Sequence, residues 1–592
     1  MVSIIARMDD LEELVGTKLP RTEEELNELL YSIKCEISHP GSENREPTPI
    51  TVLQDDSEVN IENVDTNRPD TWSPEGIARA LRGVLGIEVG IKKYSVAKKP
   101  AVEISVVTKL KRIRPFIACV VARHPKMNDT IIRGLIHLQE KLDHSYGRRR
   151  RRSSIGFYDF DLITPPLRYG VADPDEIRFV PLEGTEPLSL REILQSHPKG
   201  IEYGHIVSQN PELPILLDSK RNVLSFPPII NSNDLGKLTP DTKNVLVEIT
   251  GTSEETVMND LIILTTALAE RGAEICPAAV HYRYGKPRSV TTPELNERRI
   301  QVPLEMIRTM IGLELRSAEI VSLLRRARYN GTISAKKNVS VLVPCYRLDI
   351  LHPVDVIEDI AIAYGLNRVE PKWPSDLTIG GLSAMEEYSD NVRELMIGLG
   401  FQEVLTLVMT NQENLFSRMN QAPVPVVEVA NPKITTLTCL RSWLLPSLMD
   451  FLASNTHVEY PQRLYEVGDC TLWKVSLPNR VKDVRKLACV TAHSRANFTE
   501  IKSILEPLMI NLGFQFDLRP LINPSFLEGR VGSILIGDRE VGVIGEVHPQ
   551  VIENWKLENP IAAMELDLDQ LFESQCEKAG EAPKPPTSER AN

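Results

Sequence analysis

The length of the chain is the feature that most constrains its fold. At 592 residues it exceeds what one hydrophobic core usually supports, so several domains are expected. Hydrophobic residues make up 42% and charged residues 25%, which is ordinary globular composition and excludes a fibrous or wholly disordered protein. We find no internal repeat. Short apolar runs alternate with segments of helical periodicity, and the sequence therefore predicts a multidomain α+β protein.

The cysteine pattern and the N-terminal sequence indicate the cellular compartment of the protein. The cysteines form no C-x-x-C pair, so neither a zinc site nor a disulfide framework is indicated; they are Cys35, Cys119, Cys276, Cys345, Cys439, Cys470, Cys489 and Cys576. The first residues include Asp9 and Asp10 and carry no signal-peptide pattern. No stretch approaches the roughly 20 apolar residues that a membrane span needs. We expect a soluble, cytoplasmic protein with no membrane contact.

The net charge of -13 argues against a protein that coats nucleic acid nonspecifically, because phosphate binding depends on accumulated Lys and Arg. One dense basic run, Gly147–Arg152, is compatible with phosphate contact. It is equally compatible with a solvated turn between a helix and a strand. Both readings stay open from the sequence alone.

The pattern changes several times along the chain. Ser73 before Pro74 reads as a helix N-cap, an acidic polar loop is expected through Gly41–Asn60, and Pro-rich corners such as Pro227-Pro228 interrupt the α+β region. The predicted domains are 1–88, 95–290, 296–372 and 375–578, followed by a disordered tail at 579–592. The helices are predicted at 23–32, 128–142, 253–270, 303–311, 317–328 and 391–399, and the strands at 116–122, 155–158, 245–249 and 339–344.

The end of the third domain holds a cluster of carboxylates. Pro353 suits a first helical turn, and in the helix that follows Asp355, Glu358 and Asp359 share one face. Asp349 precedes the turn and completes a set of four. Oxygen ligands grouped in this way suit Mg²⁺. The alternative is that acids in a first turn complement the helix dipole without any metal.

Four short motifs together resemble one family. Arg347-Leu348-Asp349, with Asp355 and Glu358-Asp359 after it, is similar to the Mg²⁺-binding signature of the B5 domain of phenylalanyl-tRNA synthetase β subunits. The run from Asn67 to Arg79 resembles the B1 module of that family, and the segments at 155–161 and 248–251 resemble its B3/B4 editing domain. The order and spacing match the archaeal/eukaryotic (cytosolic) type over nearly the whole chain.

The resemblance implies a B1 module, a B3/B4 editing module, a helix-rich, winged-helix-like B5 domain and a class II synthetase-like domain built on an antiparallel sheet. It implies an α₂β₂ assembly in which the α subunit attaches Phe to tRNA(Phe) and binds most of the ATP. It also places Asp349, Asp355, Glu358 and Asp359 at the ligand positions for Mg²⁺. An OB-fold insertion and a C-terminal anticodon module, found in bacterial-type relatives, have no counterpart here.

The last domain is expected to be catalytically silent. A class II active site needs Arg residues on adjacent strands to bind the phosphates of ATP, whereas the expected region of the third motif, Gly542–Pro549, contains no Arg. Glu546 and His548 are better explained as a strand end that enters a loop. We interpret this domain as a surface for the α subunit.

An editing pocket is expected in the second domain. A pocket built for an apolar ring cannot strongly reject the same ring with one added hydroxyl, so tyrosine must be removed after transfer to tRNA. The resemblance assigns phenol recognition to Glu248, with Asn231 and Ser232 to orient water or ester. Thr250 and the Gly251 N–H are further candidates. The alternatives are turn hydrogen bonds for Asn231 and Ser232 and an exposed strand position for Glu248.

Two other functions compete. A free-standing aminoacyl-tRNA deacylase would not need the large silent domain. A helix-turn-helix DNA reader at 296–371 would use Arg325, Arg326 and Arg328, but the net charge of -13 disfavours it.

Overall fold

The computed structural model describes residues 2–37, 57–63, 65–284, 288–334, 337–373 and 380–579. Contacts divide the chain into two compact units, Met1–Lys372 and Trp373–Asn592. Within the described ranges no helix combines the length and the apolar character needed to cross a membrane. All eight cysteines lie in described segments and are free thiols.

The first unit begins with a small three-stranded sheet, in the order β1-β3-β2, and three helices. Its elements are β1 (Val2–Arg7), α1 (Met8–Val15), α2 (Glu23–Tyr31), β2 (Cys35–Ile37), β3 (Glu58–Asn63) and α3 (Pro74–Val84). The Ser73 hydroxyl accepts a hydrogen bond from the Gly76 N–H, which confirms the predicted N-cap. The loop predicted for 41–60 is wrong at its end, because Glu58–Asn60 lies in β3; residues 41–56 of that prediction lie outside the described residues.

A ten-stranded sheet follows, with the path β12-β11-β10-β7-β4-β14-β5-β13-β6 and β15 paired to β14. Its neighbours are antiparallel except at β4–β7 and β4–β14. The strands of this region are β4 (Val102–Val106), β5 (Phe116–Arg123), β6 (Ser153–Asp159), β7 (Leu167–Ala172), β8 (Arg178–Phe179), β9 (Leu188–Ser189), β10 (Leu213–Leu217), β11 (Val223–Phe226), β12 (Ile230–Asn231), β13 (Asn244–Gly251), β14 (Glu274–Tyr282) and β15 (Arg288–Thr292). The helices are α4 (Asp129–His144), α5 (Leu190–Ser196), α6 (Pro198–Tyr203) and α7 (Glu254–Glu270).

The alternation of side chains along β13 determines which of them lie on each face of this sheet. Val245, Val247 and Ile249 of β13 pack with the apolar residues of α4 and α7 on one face. Since successive side chains of a strand point to opposite faces, Leu246 and Glu248 point to the other face, where Leu246 packs with Tyr158. A carboxylate thereby lies on the buried face of β13, the strand next to the edge strand β6.

The third part of the first unit packs three helices against a three-stranded sheet of order β16-β18-β17. Its elements are β16 (Arg298–Pro303), α8 (Leu304–Ile311), α9 (Ser317–Arg326), β17 (Asn330–Ser334), β18 (Asn338–Val343) and α10 (Pro353–Tyr364). As predicted, Pro353 opens α10 and Gly365, with φ of 99°, ends it. Val356, Ile357 and Ile360 of α10 face the core of this part.

The second unit is built on a seven-stranded sheet of order β19-β22-β23-β27-β26-β25-β24, antiparallel except at β19–β22. Apolar clusters cover both faces. The strands are β19 (Gln402–Glu403), β20 (Met409–Thr410), β21 (Cys439–Leu440), β22 (Gln462–Trp473), β23 (Val481–Ala492), β24 (Asp517–Pro520), β25 (Phe526–Ile536), β26 (Arg539–Val547) and β27 (Ile561–Asp567). The helices are α11 (Ala384–Gly398), α12 (Gln412–Leu415), α13 (Leu445–Ser454), α14 (Phe498–Asn511), α15 (Pro549–Asn554) and α16 (Leu568–Ala579).

Two predictions for this unit change in detail. The helix predicted from Asn391 begins earlier, at Ala384, where the Ser383 hydroxyl accepts from the Glu386 N–H. Of the predicted tail, residues 580–592 lie outside the described residues, while Ala579 is the last residue of α16. The multidomain architecture of mixed helices and sheets agrees with the sequence prediction.

Candidate functional site

A cavity of about 820 Å³ lies beside β6, the edge strand of the ten-stranded sheet. Ile132 and Ile136 of α4 line one side of it, and the segment from Pro227 to Asn231 lines another. The wall is therefore largely apolar, with a few polar groups that reach into it, which is the usual composition of a small-ligand site.

Glu248 lies at this cavity with one oxygen held and the other available. The Tyr158 hydroxyl donates to Glu248 Oε2 at 2.8 Å, whereas Glu248 Oε1 is buried and has no hydrogen-bond partner among the described residues. Gly156 makes room for this pair, because a Cβ there would lie 2.4 Å from the Tyr158 hydroxyl oxygen and 2.9 Å from Glu248 Oε2. The site thus presents an unoccupied acceptor to whatever enters the cavity.

Burial controls the charge of this carboxyl. Glu248 is 3% exposed, and desolvation raises its pKa to about 7 although the hydrogen bond from Tyr158 and the charge of Arg114 act in the opposite direction. Near neutral pH the group therefore exists in both protonation states. A raised pKa on a cavity-lining acid is typical of functional sites.

Asn231 belongs to the same cluster. Its Oδ1 accepts from the Tyr158 hydroxyl at 3.2 Å, and its Nδ2 donates to the Phe157 carbonyl at 3.3 Å. The nearby Ser225 lines the cavity next to Tyr158. The structure therefore brings Glu248 and Asn231 together through Tyr158, and adds Ser225.

Ser232 and Thr250, expected in the pocket, do not line the cavity, although a hydrogen bond from Thr250 acts to lower the pKa of Glu248. The Ser232 hydroxyl accepts from the Leu235 N–H, which is the turn hydrogen bond held as the alternative. Thr250 is fully buried, and its hydroxyl accepts from Arg114 Nε at 3.0 Å. Gly251 pairs with Ser153 across the sheet. None of these three residues is among those that line the cavity, because Thr250 and Gly251 lie further along β13 and the Ser232 side chain turns back into its own loop.

The rim of the cavity carries cations. Arg150 donates to the carbonyls of Pro228 and Ile229 at 3.2 and 2.9 Å, and its Nε lies 3.1 Å from Asp143 Oδ2. Lys199 also lines the cavity. The contacts of Arg150 hold the Pro227-Pro228 segment in place, and the charge around the cavity is mixed because Glu140 and Glu183 line it as well.

A second buried carboxyl lies behind the site. Asp260 of α7 is fully buried and accepts from the Ser153 hydroxyl at 2.6 Å, while its Oδ1 has no partner among the described residues. Desolvation raises its pKa to about 8, with the charge of Asp143 acting in the same direction. An acid whose pKa is higher in the folded than in the unfolded state destabilises the fold as pH rises from the unfolded to the folded pKa.

We therefore expect Asp260→Asn to stabilise this domain relative to the wild type by about 4 kcal/mol more at pH 8.5 than at pH 5, since each pKa unit between pH 5 and the folded-state pKa of about 8 corresponds to about 1.4 kcal/mol. Hydrogen–deuterium exchange of peptides from β6 and α7 at both pH values measures the difference. Asp241→Asn, at an exposed position, is the matched control. A difference that does not change with pH would contradict the assignment.

The four acids predicted to bind Mg²⁺ have other partners. Arg347 Nη2 lies 2.7 Å from Asp349 Oδ2 and 2.6 Å from Asp359 Oδ2. Asp355 Oδ2 accepts the N–H groups of Leu351 and His352, both at 2.7 Å, and so caps α10. Although burial opposes it, the charge of Arg347 lowers the pKa of Asp349 to about 2.

Glu358, the remaining acid, forms an ion pair with Lys34 of the N-terminal module at 2.8 Å. Among the described residues no group of three or more His, Cys, Asp or Glu side chains is arranged to hold a metal ion. The arrangement therefore does not fit Mg²⁺ through this chain's carboxylates alone, because a guanidinium occupies the space between two of them. Mg²⁺ at these residues stays a prediction of the resemblance.

In the second unit the conspicuous Arg is neutralised internally. Arg441 is 1% exposed and Glu466 is fully buried; Arg441 Nη1 lies 2.7 Å from Glu466 Oε1. Arg441 also donates to the Thr406 hydroxyl and to the Asp469 carbonyl. This guanidinium is not available to a phosphate.

Other polar residues of the second unit are also paired. Arg485 lies 2.6 Å from Asp469 and 3.0 Å from Glu386. Glu546 accepts from Arg530 at 2.8 Å, and His548 Nδ1 accepts from the Gln550 N–H at the start of α15. These contacts give Glu546 and His548 structural partners and no acid–base partner.

The sequence predictions did not assign Tyr158, Arg150 or Ser225 to the pocket, although Tyr158 lies in the motif at 155–161 and Arg150 in the basic run at 147–152. Tyr158 lies 90 positions before Glu248 in the chain, and only the pairing of β6 with β13 brings the two together. Alternation along β6 would have placed Tyr158 on a defined face, but the neighbour of β6 could not be known without the sheet order.

Comparisons with known proteins find matches in both compact units of the chain. A family model described as the phenylalanyl-tRNA synthetase beta chain CLM domain matches residues 370–568, and one described as the tRNA synthetase B5 domain matches residues 300–366. The phenylalanine–tRNA ligase beta subunit of Pyrococcus furiosus is 42% identical over 95% of this chain and 98% of the relative, and that of Thermococcus kodakarensis is 43% identical over 95% and 98%. The solved N-terminal fragment of the phenylalanyl-tRNA synthetase beta subunit from Pyrococcus horikoshii is 39% identical, covers 61% of this chain and 99% of that fragment, and superposes with a TM-score of 0.56.

Proposed function

From the premise that this chain belongs to the phenylalanine–tRNA ligase beta subunits, and is thus one part of a heteromeric aminoacyl-tRNA synthetase, we propose that it hydrolyses tRNA(Phe) mischarged with tyrosine. The cavity beside β6 is the proposed site, and Glu248 is the group that selects the substrate. The single observation that carries the proposal is the buried, unpartnered Oε1 of Glu248 in a largely apolar cavity of about 820 Å³.

The selectivity follows from the cost of leaving a buried polar group unpaired. A tyrosyl ring would bring a phenolic O–H that donates a hydrogen bond to Glu248 Oε1. A phenylalanyl ring would displace water from that oxygen without supplying a hydrogen-bond donor in its place. Sites that are built to hydrogen-bond a substrate hydroxyl reject the analogue that lacks it by large factors. The cavity is therefore suited to spare the correct product and to retain the wrong one.

Hydrolysis is assigned to a held water molecule. The polar groups that reach the cavity next to Glu248 are Asn231 and Ser225, and neither has a partnered base in the manner of a serine hydrolase. Asn231 is fixed by Tyr158 and Phe157, so its role is to hold the Tyr158–Glu248 pair in position. Arg150, paired with Asp143 and bound to the Pro228 and Ile229 carbonyls, fixes the segment that forms one wall of the cavity.

The second unit is proposed to be a binding surface for the α subunit. Leu405, Leu407 and Ile434 are 88%, 68% and 56% exposed, and exposed apolar side chains of this size are typical of protein interfaces. Because Arg441 and Arg485 are paired with acids, we assign ATP binding and attachment of Phe to the α subunit, in an α₂β₂ complex located in the cytoplasm. The Mg²⁺ of the ligase is assigned to the complex as a whole, and equilibrium dialysis of the full chain against MgCl₂, with and without Asp355→Asn, tests whether this chain contributes a ligand.

The DNA-reading alternative loses two of its three cations, since only Arg325 is exposed. Arg326 donates to the carbonyls of Val84 and Ala363, and Arg328 is buried and paired with Glu88 at 2.9 Å. These Arg residues join two parts of the first unit and are directed away from a free surface.

The test is a deacylation assay on the complex of this chain with its α subunit. We expect hydrolysis of Tyr-tRNA(Phe) to be faster than that of Phe-tRNA(Phe). We also expect kcat/KM for the tyrosyl substrate to rise as pH increases through about 7, because the carboxylate form of Glu248 is the stronger acceptor for the phenol. Equal rates for the two esters, or a profile without a change near pH 7, would refute the assignment.

A further inference from the structure

The basic run at 147–152 folds into a turn that we call the arginine turn, defined as Gly147–Arg152. Arg148, Arg149 and Arg150 have φ of 49°, 52° and 62°, which is the left-handed region. Non-glycine residues there cost roughly 1–2 kcal/mol each, and three in succession persist only when the surroundings hold them. The conformation of the turn is therefore fixed by its contacts. It differs from a solvated turn that only connects a helix and a strand.

The surroundings hold the backbone of the turn through its main-chain oxygens. The Arg150 carbonyl accepts from Arg114 Nη1 at 3.0 Å. The carbonyls of Arg151 and Arg152 accept from the hydroxyl and the N–H of Thr252, both at 2.9 Å. Since these contacts use only main-chain oxygens of the turn, they fix its shape without engaging the guanidinium groups.

One side chain of the turn points inward and connects it to the cavity. Arg150 lines the cavity, donates to the Pro228 and Ile229 carbonyls and lies beside Asp143. The other four, Arg148, Arg149, Arg151 and Arg152, are exposed and make no ion pair among the described residues. They line a shallow groove of about 520 Å³. In a chain of net charge -13, four unpaired cations on one turn form a local anion-binding surface.

We propose that the arginine turn binds the phosphodiester backbone of the acceptor end of tRNA and so guides its esterified 3′ end into the cavity. The inference rests on the proposed function: Arg150 of the turn lines the cavity, so an RNA whose esterified end occupies the cavity brings its adjoining phosphates towards the exposed Arg residues that flank Arg150 in the chain. Arginine on a rigid backbone suits this role, since a planar guanidinium donates two parallel hydrogen bonds to one phosphate. The contacts are to the backbone and carry no base specificity.

The test replaces the four exposed residues in the full chain, assembled with its α subunit, as Arg148→Gln, Arg149→Gln, Arg151→Gln and Arg152→Gln together. The substrates are Tyr-tRNA(Phe) and 3′-O-tyrosyl adenosine, which contains the ester but no phosphate. We expect KM for the tRNA substrate to rise at least tenfold with little change in kcat. We expect kcat/KM for the small ester to stay unchanged. The slope of log kcat/KM against log salt for the tRNA should become shallower by about 0.7 for each lost contact to a single strand.

A charge-matched control removes Lys98, Lys99, Lys111 and Arg112, which are exposed in the same part of the chain and lie outside the lining of both the cavity and the groove. An equal rise in KM in this control, an unchanged KM in the arginine variant, or a parallel loss on the small ester would each overturn the proposal. Binding of a tyrosyl-tRNA with a non-hydrolysable 3′-amide linkage separates the two levels of inference. If the wild type hydrolyses neither ester, the proposed function fails, whereas the dissociation constant for the amide still decides whether the arginine turn binds RNA.

Discussion

Glu248→Gln is expected to lower kcat/KM for hydrolysis of Tyr-tRNA(Phe) by roughly 10- to 100-fold at pH 8, because a hydrogen bond to a charged group contributes about 1.5–3 kcal/mol. The carboxylate accepts from Tyr158 through Oε2 and has a free, buried Oε1. Glutamine keeps the shape and one acceptor but removes the charge and introduces an N–H₂ group near the phenol. The measurement is single-turnover deacylation by the αβ complex over a range of pH.

The pH dependence makes the test specific. Burial raises the pKa of Glu248 to about 7, so the wild-type carboxyl is mostly protonated at pH 6 and resembles the amide. The difference between wild type and variant should therefore be small at pH 6 and grow as pH rises to 8. Asp241→Asn, exposed on the same domain, should follow the wild type throughout. A variant that hydrolyses the tyrosyl ester as fast as the wild type at pH 8 would remove Glu248 from the site.

Arg441→Met is expected to destabilise the second unit by about 3–5 kcal/mol, because it leaves Glu466 as a buried charge without its partner. The pair is 2.7 Å apart, and both members are at most 1% exposed. Thr406 links the two groups, since its hydroxyl accepts from Arg441 and donates to Glu466. Guanidinium chloride unfolding, followed by hydrogen exchange in β22, gives the free energy of unfolding.

A double substitution distinguishes a structural pair from a phosphate-binding residue. Arg441→Met combined with Glu466→Leu should recover much of the lost stability, since an apolar pair of similar volume often replaces a buried ion pair without loss. The more exposed pair of Arg530 and Glu546 is the comparison, and Arg530→Met should have a much smaller effect. If the double variant is as unstable as the single variants combined, the two groups act independently and the interpretation is wrong.

Local signals in the sequence predicted the elements well. Ser73, Pro353 and Gly365 mark helix ends because capping depends on residues within four positions of each other, and the helices begin or end at them in the structure. The helix α7 follows Ser253 for the same reason. Glu248 was found through the family resemblance and lies in the predicted strand.

Contacts between distant segments could not be predicted. Tyr158 reaches Glu248 only through the pairing of β6 with β13. The four acids near α10 share a compact segment, yet the structure directs them to Arg347, to backbone N–H groups and to Lys34. The spacing of residues on a helix predicts which carboxylates share a face. It does not predict whether a cationic side chain from another segment pairs with those carboxylates in place of a metal ion.

The empty space above Gly156 has a consequence for comparing sequences. A methyl group at this position and the Tyr158–Glu248 pair cannot both fit, because the methyl carbon would lie within 3.0 Å of both partner oxygens. Any homologous chain with a side chain at the equivalent position must shift the tyrosine hydroxyl or the glutamate carboxylate from the positions they have here. The glycine, the tyrosine two residues later and the distant glutamate thus form a three-residue signature. Its presence distinguishes chains that share this mode of recognition from chains that share only the fold.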